Sequence, residues 1–181
     1  EDSGSDPFCT RVVDNGPTPG ARALVDRWRD RFDHLSYVHE PRPGPSWARN
    51  TGLERASGEL VVFFDDDVLV DRRCLLGIVR GFAAADDVAC VTGLIMPREL
   101  DTLAQSLIEE YGGYAKGFAR RVFDLHEHRP EDPLFPYTAG VFGSGACMAF
   151  RRSVLRELGG FSLALGSGRP ACGSEDITAF L

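Results

Sequence analysis

Three adjacent carboxylates, Asp65, Asp66 and Asp67, close an apolar run, "ELVVFF" at 59–64. Like charges this close repel, and in a low-dielectric pocket each is driven towards protonation. The cluster therefore either faces open water or receives something cationic. Two other polar pairs stand out. Asp14 and Asn15 follow the apolar end of "CTRVV" at 9–13, and Glu175–Asp176 follow a Gly-rich stretch near the end of the chain. Acidic residues at 175–176 also suit the N-terminus of a helix, where the dipole favours them. Asp14–Asn15 before Gly16 also reads as a plain Asx turn.

The elements that must position these groups alternate at short spacing. "CTRVV" reads as the end of a strand, stopped by the turn "DNGPTPG". Ala21, Leu24, Val25, Trp28 and Phe32 fall at helical spacing, and "LSYVH" at 35–39 is a short strand. A Pro-rich loop precedes a predicted helix over 47–56, with Gly58 just past its end, where a left-handed residue is wanted. "ELVVFF" is continuous enough for a strand covered on both faces. A helix at 72–84 and a strand at 88–93 follow. This order implies an α/β fold with a mostly parallel central sheet flanked by helices. Ligands of such sheets bind beyond the carboxyl ends of the strands, where both Asp14–Asn15 and the three aspartates lie. The second half differs. A helix is expected within 101–118, then a long aromatic and Pro-rich loop, then "GSGACMAF" turning into a strand, a short helix ended by Gly159–Gly160, and a last helix at 175.

Bulk properties narrow the classes. The 181 residues fit one domain, 1–181, with a polar segment at 1–8. A hydrophobic content of 43% and a charged content of 26% are ordinary for a soluble globular protein. No run approaches the roughly 18 apolar residues of a membrane span, and "EDSGSDPF" is no signal peptide. A net charge of −7 argues against a nucleic-acid partner. The basic residues are nearly all Arg, with Lys116 the single Lys. Cys9, Cys74, Cys90, Cys147 and Cys172 form no C-x-x-C pair and read as reduced thiols. His126 and His128 could share a strand face, but their Pro-flanked polar setting reads as a solvated loop rather than a metal site.

The ordered set "VVDNG", "ARNTGLERASGELVVFFDDD", "GSGACMAFRRSVLRELGGF" and "GSEDITAFL" resembles the family 2 glycosyltransferases of the GT-A fold, over nearly all of 10–181. The resemblance implies a bacterial-type enzyme that moves a sugar from a nucleoside-diphosphate sugar to an acceptor hydroxyl, with inversion. The diphosphate leaving group must be neutralised as the glycosidic bond breaks, which a divalent metal does as a Lewis acid. Mn2+ or Mg2+ takes oxygen ligands, usually one or two carboxylates plus phosphate oxygens. Asp65-x-Asp67 matches the family's D-x-D motif. Asp67 then ligates the metal directly, Asp65 holds the ribose or a metal-bound water, and Asp66 does either or neither. Asp14 and Asn15 match the turn that contacts the nucleobase, with Asn15 where a second acid is usual. Arg49 and Asn50 match the family's "RN", Arg49 neutralising phosphate or stacking on the base and Asn50 pinning backbone. Trp47 reads as packing. Glu175–Asp176 matches the "ED" motif, with Asp176 as general base. Gly143 and Gly145 let backbone approach the sugar. Cys147 stands where the family often has Asn, which would cost a polar contact. Arg151 and Arg152 read equally as surface charge or functional groups.

The family's opening apolar strand and its segments beyond the ED motif have no counterpart here, so the chain is expected to be truncated at both ends. The 118–144 loop is expected to face the acceptor, since loops on a rigid scaffold carry specificity. Its Phe123, Phe135 and Tyr137 suit stacking on sugars or packing under the loop. The implied partners are a nucleotide-sugar and a saccharide, lipid-linked or small-molecule acceptor. The implied location is cytoplasmic or peripheral at a membrane. The competing readings are a non-catalytic nucleotide-sugar or glycan-binding relative and a nucleotidyltransferase. The latter usually carries a Gly-rich basic loop near its N-terminus, which is missing.

Overall fold

A computed structural model describes residues 8–167, 170 and 173–181. Residues 1–7 of the polar N-terminal segment, and Cys172 with its neighbours in the Gly-rich loop, lie outside the described residues. In chain order the elements are β1 (Thr10–Asn15), α1 (Arg22–Trp28), β2 (Leu35–Glu40), α2 (Pro45–Glu54), β3 (Leu60–Phe64), α3 (Cys74–Phe82), β4 (Cys90–Thr92), α4 (Leu103–Gly112), β5 (Cys147–Arg151), α5 (Arg152–Glu157) and α6 (Glu175–Phe180).

Strands β1 and β2 pair in parallel, Thr10 opposite Leu35 through Asn15 opposite Glu40, as a strand–helix–strand unit should. Strand β5 departs from the expected parallel order. It lies between β3 and β4 and runs antiparallel to both. The reason is where the chain re-enters. The Asp65 N–H donates to Ala146 O and the Gly93 N–H to Cys147 O. The excursion from 94 to 146 thus starts and ends at the carboxyl edge of β3 and β4, and β5 must run back from there. This puts Gly145 beside the three aspartates.

Strand alternation divides the core into two layers. On one face Val61, Met148 and Phe150 pack with Leu53 of α2, Leu155 of α5, Phe161 and Ala179 of α6. On the other, Cys147 and Ala149 pack with Ile78 and Phe82 of α3, over Leu60, Val62 and Phe64. Phe161 meets Phe63 edge-on at 5.2 Å and Phe150 at 6.1 Å. Cys147 is therefore a core residue, its Sγ 3.8 Å from that of Cys74, and burial pushes its thiol up to about 12. Gly58 does not take the left-handed cap role expected of it. Helix α2 ends at Arg55 in the right-handed region, and the described left-handed glycines do not include Gly58.

Candidate functional site

Helix α2 starts at Pro45, whose missing N–H costs nothing at a first helical position. About one turn on, it projects Arg49 towards the carboxyl end of β3. Arg49 Nη1 donates to Glu175 Oε1 at 2.6 Å, and Nη2 donates to Asp65 Oδ1 at 3.3 Å. The Arg49 and Glu175 side chains are only 13% and 11% exposed, so this ion pair is shielded from water. The guanidinium also lies 5.6 Å over the Phe161 ring. One residue thereby joins the aspartate cluster to the acidic pair at 175–176.

Asp176 is held from the other side. Its Oδ2 accepts the Gly145 N–H at 2.9 Å, and its Oδ1 accepts the Ile177 N–H at 2.9 Å. A Cβ at Gly145 would stand 2.8 Å from Asp176 Oδ2 and 3.1 Å from Arg49 Nη2, so any larger residue would push these two side chains aside. Gly143 is equally hemmed in, by Thr92. Asn50, next to Arg49, pins the strand-side loop. Its Nδ2 donates to Phe161 O and its Oδ1 accepts the Phe161 N–H, both at 2.8 Å. The preceding Gly159 and Gly160 have φ of +82° and +77°, which favour glycine. "GGF" is thus a turn that drops Phe161 into the core beneath Arg49.

Asp66 and Asp67 are exposed and make no hydrogen bond or ion pair among the described residues. Arg49 balances only Asp65. Among the described residues no three His, Cys, Asp or Glu side chains converge to hold an ion by themselves. The free donors are carboxylate oxygens at a strand's carboxyl end. One or two of them with phosphate oxygens make up the kind of shell that Mg2+ or Mn2+ takes, so the residues present fit such an ion.

Asp14 and Asn15 are differently placed. Asp14 Oδ2 accepts the Gly20 N–H (2.7 Å), the Ala21 N–H (2.8 Å) and the Tyr37 hydroxyl (2.8 Å). These bonds, the Ala21 amide first, hold its carboxyl below its usual range. Asn15 donates to Glu40 O and Arg42 O and accepts the Gly44 N–H. Its amide is spent on fixing the 40–44 loop, and Asp14 keeps one oxygen free of these turn contacts.

Sequence reasoning missed Glu40. It is 3% exposed and binds Arg42 through both oxygens, with Thr51 Oγ1 donating to Oε2 at 2.6 Å. Arg42 hydrogen bonds, foremost, hold Glu40 at about 2. Arg42 in turn lies 3.6 Å over the Trp47 ring, which gives Trp47 its packing role. The available signal was a Glu closing an apolar strand with Arg two residues on. Arg151 and Arg152 are stitches. Arg151 donates to Glu59 and Val88 O, and Arg152 to Gly58 O. Phe123 and Phe135 pack on Phe142 under the long loop, while Tyr137 is exposed. Asp124 gathers the His126 and His128 amides and the His128 ring in a loop turn.

Comparison with known proteins fits this geometry. The profile of Glycosyl transferase family 2 matches residues 10–159. A pre-mycofactocin glycosyltransferase of Mycobacterium tuberculosis is 32% identical over 136 residues, covering 74% of this chain and 26% of the relative. A glucosyl-dolichyl phosphate glucuronosyltransferase of Haloferax volcanii is 25% identical over 151 residues, covering 81% and 45%. Among solved structures, a mannosyltransferase from Pyrobaculum calidifontis in complex with GDP-Man and Mn2+ matches with a TM-score of 0.57 and 27% identity. That match covers 91% of this chain and 41% of the other. The chain thus spans less than half the length of each of these relatives, from 26% to 45%.

Proposed function

Since the chain belongs to Glycosyl transferase family 2, we propose that it carries the donor site and the catalytic base of an enzyme that moves a sugar from a nucleoside-diphosphate sugar to an acceptor hydroxyl. The observation that carries this reading is Arg49, which joins Asp65 to Glu175 while Asp176 closes on Gly145. Four segments distant in sequence, around Arg49, Asp65, Gly145 and Glu175–Asp176, are thereby in contact.

In this reading Asp67, with Asp65, holds a Mn2+ or Mg2+ ion, which when bound would neutralise charge on the departing diphosphate. Asp66 and the free oxygen of Asp14 face the nucleotide. Asn15 serves by shaping the 40–44 loop. Gly145 lets Asp176 and Arg49 close on its backbone beside the donor sugar. Asp176 takes the proton from the acceptor hydroxyl as that oxygen bonds to the anomeric carbon. The bond to the diphosphate breaks on the opposite side, which inverts the centre. Glu175 holds Arg49, and Arg49 steadies Asp65 and offers positive charge to phosphate.

Turnover tests this. Nucleotide-sugars are incubated with the chain, Mn2+ and simple saccharide or lipid-linked acceptors, beginning with GDP-mannose because the Pyrobaculum neighbour was solved with it. The expected product is a nucleoside diphosphate, lost in Asp176→Asn. Pyrophosphate release would mark a nucleotidyltransferase. Donor binding with no turnover would mark a non-catalytic relative.

A further inference from the structure

Helix α4 is capped firmly at its start. Thr102 and Gln105 form a reciprocal capping box. Laid out at helical spacing, Leu103, Ala104, Leu107, Ile108 and Tyr111 share an arc of roughly 140°, and Gln105, Ser106, Glu109 and Glu110 take the rest. An amphipathic helix of this kind normally buries its apolar arc. Here no α4 residue is buried, with Leu103 75% and Tyr111 80% exposed. Ile108 and Tyr114 continue the surface into a groove of about 370 Å³ with Ile95, Met96 and Leu100. The chain then runs "YAKGFARRV" over 114–122, in which Lys116, Arg120 and Arg121 alternate with Tyr114, Phe118 and Val122. That stretch holds no acidic residue in a chain of net charge −7, and Phe118 is 85% exposed.

We propose that α4 and the 114–122 stretch dock on an anionic lipid surface. An outward apolar arc with aromatics suits the headgroup boundary. Cations interleaved with those aromatics are drawn to acidic headgroups, and the charge of this stretch is opposite to that of the chain as a whole. Glu109 stands on the far side of α4 from the arc, at the edge of the groove, and Glu110 falls about 20° from Leu103 at the arc's margin. Glu109 is engaged with the Ala115 amide. The inference rests on this surface alone and not on the transferase reading.

Vesicle flotation tests it, with the chain and two variants, Tyr111→Ser/Phe118→Ser and Lys116→Glu/Arg120→Glu/Arg121→Glu. Vesicles are phosphatidylcholine alone or mixed with phosphatidylglycerol, at low and high salt. Circular dichroism confirms folding; Tyr111, Phe118, Arg120 and Arg121 are exposed, while Lys116 is half-buried and donates to Gly113 O. The expected result is binding to the mixed vesicles that high salt weakens. Each variant should reduce it about tenfold or more. Binding unaffected by both variants, or no binding to either vesicle, overturns the proposal. So does concentration-dependent dimerisation, read by sedimentation, that Phe118→Ser abolishes while vesicles are ignored, since the face would then be an interface between copies.

Discussion

Strand β5 and helix α4 show two ways a hydrophobic pattern can be used. In β5 four consecutive residues, Cys147 to Phe150, are buried, with each face supplying one core layer. In α4 an equally clear pattern buries nothing. The groups around the candidate site belong with β5. Arg49, Glu175, Asp176, Asn50 and Phe161 are cross-linked by short bonds between segments far apart in sequence. The difference separates a framework that must hold a few oxygens in place from a surface shaped for something outside the chain.

The comparison can be broken most forcefully at Phe161. Replacing it by Ala removes a 2% exposed ring from among Phe63, Phe150 and Arg49. The expected loss is about 3–5 kcal/mol in denaturant unfolding. A loss as small as that of an α4 variant would mean that the GGF turn is no part of the framework. Next comes Gly145→Ala. The added Cβ would meet Asp176 and Arg49 within 3.1 Å, so the two must shift. A displacement of the reacting groups by about 1 Å can cost ~100-fold in rate. Nucleoside-diphosphate release should fall by about that factor, with near-normal unfolding.

Glu40 offers a pH test. Its carboxyl is lowered from 4.5 to about 2, so its contribution is complete above about 4.5 and is lost as the pH falls towards about 2. Glu40→Gln should cost about 1–3 kcal/mol at neutral pH. The gap between the two proteins should narrow through that acid window. A constant gap would assign the effect to shape and not to charge. The smallest effect is expected in α4, where Leu103→Ser and Tyr111→Ser should each change stability by no more than about 0.5 kcal/mol. A larger change would show that the face is covered.

Much of this was legible in the sequence because it is local. Apolar runs ending in polar turns placed each strand, and the order of the "ARN", "FFDDD", "GGF" and "SED" pieces pointed to the family whose profile matches residues 10–159. Long-range pairing was not legible. Arg49 and Glu175 are 126 positions apart, and neither announces the other. The reversed direction of β5 followed from the 94–146 excursion returning to its starting edge, a tertiary event. Cys147 is the instructive miss. Met148 and Phe150 must share a face, so a period of two already sends Cys147 to the opposite layer. Asn15 reads in sequence as a nucleobase contact or a plain Asx turn, and nothing in "VVDNG" shows that the 40–44 loop folds back onto its amide.

In the proposed reading Asp65–Asp67 receive a cation together with a nucleoside diphosphate. Calorimetry of GDP, UDP and dTDP, with and without Mn2+, on this chain and on Asp67→Ala, tests it directly. The expected result is binding of one nucleotide that needs Mn2+ and disappears in the variant. Nucleotide binding of equal strength without metal, or unchanged in Asp67→Ala, would contradict it.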